Sequence, residues 1–284
     1  MTLPSFLVIG AMKAGTTTLF RDLRSSPGVF MPGDKELHDL NTDEVLTDAG
    51  RQRYEAFFSG AAMGQVCGEA STGYTKLPDI TGVPERAKAL LPSDLRVVYI
   101  VRDPIARLIS QYHHHLSNRV VDLPIDTAIR DYAPLINYSR YAMQIEPWIA
   151  TIGREQVRIL IFEDYVRNRS ATVASLLDFL GVEEGHRVEE GEVYNKGAGR
   201  PVHSGPFAVA SRSGVYQRVV RPLIPLGVRD SLRRLLLPKA PPKAMPREDT
   251  IRWAESQLRE DMERFRLILG VPALPWNLSA PQST

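Results

Sequence analysis

The sequence predicts an α/β protein, a single domain with a central parallel sheet flanked by helices. Two observations carry that expectation. Short, wholly apolar runs recur along the chain ("FLVIG", "VVYIV", "RILIF"), with the length and Val/Ile content of strands buried on both faces. Each is followed by helical signals instead of a hairpin turn, and strands alternating with helices form parallel sheets. With 284 residues, 43% apolar and 24% charged, the chain is long enough to bury a full core.

Element by element, "PSFLVIG" is a buried strand and "TTTLFRDLRSS" the helix it feeds, ended by Pro27-Gly28. "GQVCGEAS" reads as a second strand, "PERAKALL" as a helix with proline in its first turn, and "LRVVYIV" as a third strand. Asp103 then caps a helix that opens at Pro104 and runs to about Leu116. Helices are expected over "PIDTAIRDY" and "NYSRYAMQIEPWIATI", then the strand "VRILIF" and the helix "SATVASLLDFLGV". From Glu183 to Lys243 the pattern loosens into an acidic run, the stretch "YNKGAGRPVHSGP" and basic pieces broken by prolines. This stretch is not read as a separate domain, so residues 1–284 are taken as one. The last helix, Arg247 to Leu269, carries Ile251, Ala254, Leu258, Met262, Phe265 and Leu269 at three- and four-residue spacing, a stripe that packs on a core.

Charge is unevenly spread. Between Lys196 and Lys243 ten Lys or Arg face the single Asp230, although the whole chain is only +2. Such a segment suits a polyanionic ligand, a membrane surface or a solvated face. Pro222 and Pro225 interrupt any long amphipathic helix, which favours a cover over a cleft against membrane contact. Nucleic acid is not expected, because the segment lacks interleaved aromatics and any recognition helix or zinc pattern. One cysteine, Cys67, rules out an internal disulfide framework and reads as a small buried hydrophobe. Without an apolar run of about 18 residues or a basic leader, a cytoplasmic protein is the expectation. The triplet His113 to His115 suggests metal, but helix neighbours point about 100° apart and do not share an ion easily, so no metal site is expected.

Chemistry gathers at two strand ends. After the first strand, "GAMKAGTTTL" has the glycines and hydroxyls of a phosphate-cradling loop, with backbone N–H groups of Ala14, Gly15, Thr16 and Thr17, the hydroxyls of Thr16, Thr17 and Thr18, and the ammonium of Lys13. An ATP-binding P-loop places lysine directly after its second glycine, whereas here Thr16 follows Gly15 and Lys13 precedes it. After the third strand stand Arg102 and, two turns into the next helix, Ser110, which suit a second phosphate. The residues alone leave open a glycine turn with no ligand, a P-loop-like kinase, and a non-catalytic nucleotide-binding module.

Together these motifs resemble the sulfotransferases that use 3′-phosphoadenosine 5′-phosphosulfate (PAPS), and especially the carbohydrate-modifying branch related to heparan sulfate enzymes. The resemblance implies a P-loop-like sulfotransferase fold, PAPS as co-substrate with PAP as product, no metal, and a hydroxyl on a sugar or glycosylated small molecule as acceptor. "MKAGTTTL" is similar to the family's 5′-phosphosulfate loop, with Lys13 as its lysine, and "VYIVRDPIARLISQYHH" to its 3′-phosphate motif, which implies that role for Arg102 and Ser110. "NKGAGR" resembles the loop that closes over the nucleotide, implying contacts from Lys196, Gly197 and Arg200. In "DKELHDL" the resemblance implies that Glu36 is the acceptor's general base, with His38 beside it. The chain departs from the branch at Ala70, where a lysine near the sulfonate often stands; Lys35 and Lys76 are the candidates to replace it.

Overall fold

A computed structural model describes residues 3–182 and 244–276. Lys196, Gly197, Arg200 and the basic segment 196–243 lie outside the described residues. In chain order the elements are β1 (Phe6–Gly10), α1 (Thr16–Arg24), β2 (Val29–Phe30), α2 (Asp48–Ala56), β3 (Val66–Ala70), α3 (Val83–Leu90), β4 (Arg96–Val101), α4 (Pro104–Ser117), α5 (Ile125–Asp131), α6 (Pro134–Asn137), α7 (Tyr141–Ile152), β5 (Val157–Ile161), α8 (Phe162–Arg167), α9 (Arg169–Leu180) and α10 (Glu248–Leu269). Among the described residues the strands form one five-stranded sheet in the order β2-β3-β1-β4-β5, each pairing parallel.

Period-two geometry divides β1 between two cores. Phe6 and Val8 pack with Leu19 and Leu23 of α1 and Val173, Leu176 and Leu177 of α9. Leu7 and Ile9 point the other way, into the core shared with α3, α7 and α10. All four side chains are fully buried, which is why the strand reads as a continuous apolar run and shows no alternation. The stripe on α10 behaves as its spacing predicts, with Ala254, Leu258, Met262 and Phe265 buried. Cys67 lies in the core, where burial pushes its thiol pKa up.

Three features differ from the sequence reading. The "NYSRYAMQIEPWIATI" segment divides, because α6 ends at Asn137 and α7 begins at Tyr141. The start of α7 is set from afar: Asp261 of α10 accepts the backbone N–H groups of Ala142 (3.0 Å) and Met143 (2.8 Å), supplying a cap that no neighbouring residue provides. Phe162 opens α8 and does not extend β5. Both α2 and the two-residue β2 were not anticipated, since α2 buries only Gly50 and Tyr54 and so carries no apolar stripe. Among the described residues no helix is long and apolar enough to cross a membrane.

Candidate active site

The sheet order sets the place of the site. From β1 the chain moves toward β2 at one edge, and from β4 it moves toward β5 at the other, so the loops leaving these neighbouring strands diverge and open a crevice at their carboxyl ends. The sequence motifs around Lys13 and Arg102 occupy those two loops.

The first loop is tightly constrained. Ala11 N–H donates to Ile100 O of β4 (2.6 Å), and Ala14 N–H donates to Ala11 O (3.1 Å). The amide of Ala14 is therefore engaged within the turn, unlike the donors that follow it. No backbone acceptor among the described residues faces the N–H groups of Gly15, Thr16 and Thr17, the orphan donors of a helix N-terminus. Gly15 has φ +95°, and a Cβ there would come within 2.6 Å of the Phe162 ring, so only glycine fits. Thr16 and Thr18 are buried at the start of α1, while Thr17 and Lys13 are half-buried.

Phe162 links this loop to the second. Its ring lies against Gly15, and the Arg102 guanidinium sits over it, with Cζ 5.1 Å from the ring centre. The backbone around Arg102 is held by three elements. Tyr141 of α7 donates to Arg102 O (2.6 Å), Glu163 of α8 accepts Asp103 N–H (3.1 Å), and Asp103 caps α4 by accepting Ala106 N–H (2.7 Å). Glu163 is itself fixed by Trp276, whose indole N–H donates to it at 3.1 Å. Ser110 lies on α4, half-buried, without a hydrogen-bond partner among the described residues.

Behind both loops lies Arg107, one turn before Ser110 and fully buried. It donates to Ser139 Oγ (2.7 Å), Gln111 Oε1 (2.8 Å), Leu135 O (2.8 Å) and, at 3.4 Å, Met12 O in the first loop. All four acceptors are neutral, so the guanidinium adds uncompensated positive charge beneath the crevice. Its place in the motif "RDPIARLIS" gave no sign of this, because an arginine five residues past Arg102 reads as an ordinary helical surface residue.

Glu36 and His38 sit on the loop that reaches the end of β3. Glu36 N–H donates to Ala70 O (2.9 Å), His38 N–H donates to Ser71 Oγ (3.3 Å), and both residues adopt positive φ. The Glu36 carboxylate is gripped on each oxygen. Oε2 accepts the Thr72 N–H (2.7 Å) and hydroxyl (3.0 Å), and Oε1 accepts the Lys35 ammonium. Burial raises the Glu36 pKa, but the Lys35 charge and the hydrogen bonds from Lys35 and Thr72 outweigh it and hold the group below the ordinary carboxylate range. His38 Nε2 lies 3.8 Å from Glu36 Oε2. Burial lowers the His38 pKa, aided by Lys76 and Lys35 and opposed by Glu36.

This loop and the first share one sheet edge. Ser71 N–H donates to Val8 O (3.1 Å) and Thr75 Oγ1 to Ile9 O (2.9 Å), which ties the 3-10 turn Thr72–Thr75 to the end of β1. Thr72 thus connects Glu36 to the phosphate-loop strand, a role the hydroxyl-rich run "STGYT" hints at only once its neighbours are known. The three adjacent histidines diverge: His113 meets Ala244 O (2.9 Å), His114 lies against Asn118, and His115 is buried against Tyr132.

The sulfotransferase family profile matches residues 4–185. The chain is similar to heparan sulfate glucosamine 3-O-sulfotransferase 3B1 of Mus musculus, 28% identical over 190 residues that make up 63% of this chain and 46% of that protein. It is also similar to the bifunctional heparan sulfate N-deacetylase/N-sulfotransferase of Drosophila melanogaster, 27% identical over 64% of this chain and 20% of that protein. The chain spans about half the length of the 3-O-sulfotransferase relatives it matches. Among solved structures, a sulfotransferase from Alicyclobacillus acidocaldarius superposes with a TM-score of 0.65 at 20% identity, covering 95% of this chain and 97% of that one, a likeness of fold.

Proposed function

The chain belongs to the sulfotransferase family, and from that premise we propose that it transfers the sulfuryl group of PAPS to a hydroxyl of a sugar or glycosylated small molecule. The observation that carries this reading is the Glu36 carboxylate, held between Lys35 and Thr72 at the same sheet edge as the Lys13 loop. The donor set suits an anionic nucleotide. Orphan N–H groups at Gly15, Thr16 and Thr17, the Lys13 ammonium and the Thr16 and Thr17 hydroxyls would hold the 5′-phosphosulfate, and Arg102 and Ser110 the 3′-phosphate. Lys196, Gly197 and Arg200 would complete the grip. PAPS supplies an activated sulfuryl group on a phosphate leaving group.

Glu36 accepts the proton of the acceptor hydroxyl as the new oxygen–sulfur bond forms. Lys13 and the N-terminus of α1 stabilise the charge that develops on the departing phosphate oxygen, which takes the electron pair of the broken bond. His38, beside the carboxylate, orients the acceptor. The names of the heparan sulfate relatives support a sugar acceptor. Incubating the protein with PAPS and acceptor libraries, with mass spectrometry for an added sulfonate, tests the reading. Absence of any sulfonated product across hydroxylated glycans and glycosides would count against it.

A further inference from the structure

Among the described residues, Lys76 beside the crevice forms neither a hydrogen bond nor a close ion pair through its ammonium. Lys76 directly follows the turn Thr72–Thr75, and its backbone is pinned on both sides, by Thr75 Oγ1 on Ile9 O (2.9 Å) and by Gln144, which accepts Leu77 N–H (2.9 Å) and donates to Leu77 O (3.0 Å). The Lys76 side chain is half-buried and makes no hydrogen bond or ion pair among the described residues. Lys35 differs sharply, because its ammonium is committed to Glu36. Asp79, the acid nearest in sequence, is engaged by the Tyr138 hydroxyl.

A partly desolvated ammonium with no partner is costly, so a site that keeps one is built for an anion that arrives. The surroundings indicate which anion. The Lys76 charge acts on Glu36 and His38. It also acts on His115, whose pKa is pushed down to about 4 by burial first and then by His114, Lys76, Arg107 and Lys13. Lys76 directly follows the turn that joins Glu36, through Thr72, to the end of the strand that feeds the Lys13 loop, through Thr75, where a transferring group must pass.

We propose that Lys76 is a catalytic residue that hydrogen-bonds the sulfuryl oxygens during transfer, while Lys35 remains with Glu36 and fixes the base. This rests on the PAPS reading above. It also assigns to Lys76, and not Lys35, the part of the lysine absent at Ala70.

Pulsed acetylation with acetic anhydride, read lysine by lysine by mass spectrometry, tests this on the unmodified protein alone, with PAP, and with PAPS. Lys13 should be protected by both nucleotides. Lys76 should be protected by PAPS about tenfold more than by PAP, which lacks the sulfuryl group, the scale of a charge-assisted hydrogen bond. In calorimetry Lys76→Met should bring PAPS affinity close to that of PAP, and Lys76→Arg should keep part of the difference. Protection of Lys13 with equal Lys76 labelling in all three states would overturn the assignment and leave the nucleotide reading standing. Equal protection of Lys76 by PAP and PAPS would overturn it in favour of a phosphate contact. Failure of either nucleotide to protect Lys13 would remove both.

Discussion

Thr72 donates both its backbone N–H (2.7 Å) and its hydroxyl (3.0 Å) to the same oxygen of Glu36. The pair joins two loops that are 36 residues apart in sequence and aims the carboxylate over the end of β3. Thr72→Val keeps the N–H bond and the shape but deletes the hydroxyl, a bond with a net worth of about 0.5–1.5 kcal/mol. Turnover should fall about three- to tenfold with PAP affinity unchanged, and Thr72→Ser should restore it. A Thr72→Val protein with parental kinetics would show that the backbone N–H alone positions the base.

Glu36→Gln should leave the fold and PAP affinity near parental values and cut turnover by about 10²-fold or more, the scale of a lost general base. Glutamine keeps the size and accepts from Thr72, but cannot take a proton. His38→Ala should cost less, since His38 touches the carboxylate only loosely at 3.8 Å. If Glu36→Gln turns over normally while His38→Ala is dead, the histidine is the base.

Arg102 is held over the Phe162 ring by backbone contacts to Tyr141 and Glu163. Calorimetry should show PAP bound in clear preference to AMP, and Arg102→Ala should remove most of that preference, a charge-assisted contact of roughly 1.5–3 kcal/mol. Equal affinities for PAP and AMP in the parent protein would end the 3′-phosphate assignment.

The pH profile follows from two groups whose pKa values are both lowered, one needed deprotonated and the other protonated. In its proposed role as base Glu36 acts as the carboxylate, and its pKa is lowered, so the base form should persist through neutral pH and activity should be lost only as pH falls through the low end of the carboxylate range. In its proposed role Lys76 acts in its protonated form, and its pKa is lowered, first by burial, so activity should fall on the alkaline side before an ordinary lysine would titrate. Measuring kcat/KM against pH checks both limbs, once the sulfonation screen supplies an acceptor. An acid limb in the histidine range would transfer the base role to His38.

Glu69, in β3, is a carboxyl group on which the effect of burial prevails. Its Oε1 accepts the hydroxyls of Tyr54 (2.7 Å) and Tyr74 (2.6 Å), and Oε2 is buried without a partner, so the pKa is pushed up to about 7, mainly by burial. The folded state thus holds a proton that the unfolded chain releases near pH 4.3, so the stability Glu69 contributes is complete below that pH and lost as pH rises through about 7. Glu69→Gln mimics the neutral acid and should gain roughly 2–4 kcal/mol over the parent at alkaline pH. Tm measured from pH 5 to 9 should flatten in the variant; parallel curves for both proteins would contradict a raised pKa.

The phosphate motifs were legible because their chemistry is local. A buried strand needs an apolar run, a tight βα turn needs a glycine such as Gly15, and helix starts need caps such as Asp103, so β1, α1, β4 and α4 stand in the letters with Lys13 and Arg102 at their ends. The short polar helix α2 and the break between α6 and α7 were not legible, since the first buries almost nothing and the second depends on Asp261 from α10. The same division runs through the site. Sequence alone determined which residue types gather at the strand ends. Only the tertiary structure decided that Ala14 spends its amide in the turn, that Arg107 lies uncompensated beneath the loop, that Thr72 grips Glu36, and that Lys35 is paired while Lys76 is not. Those outcomes turn on hydrogen bonds and charges between segments far apart in the chain, whose partners are chosen by the parallel strand order and not by neighbours in sequence.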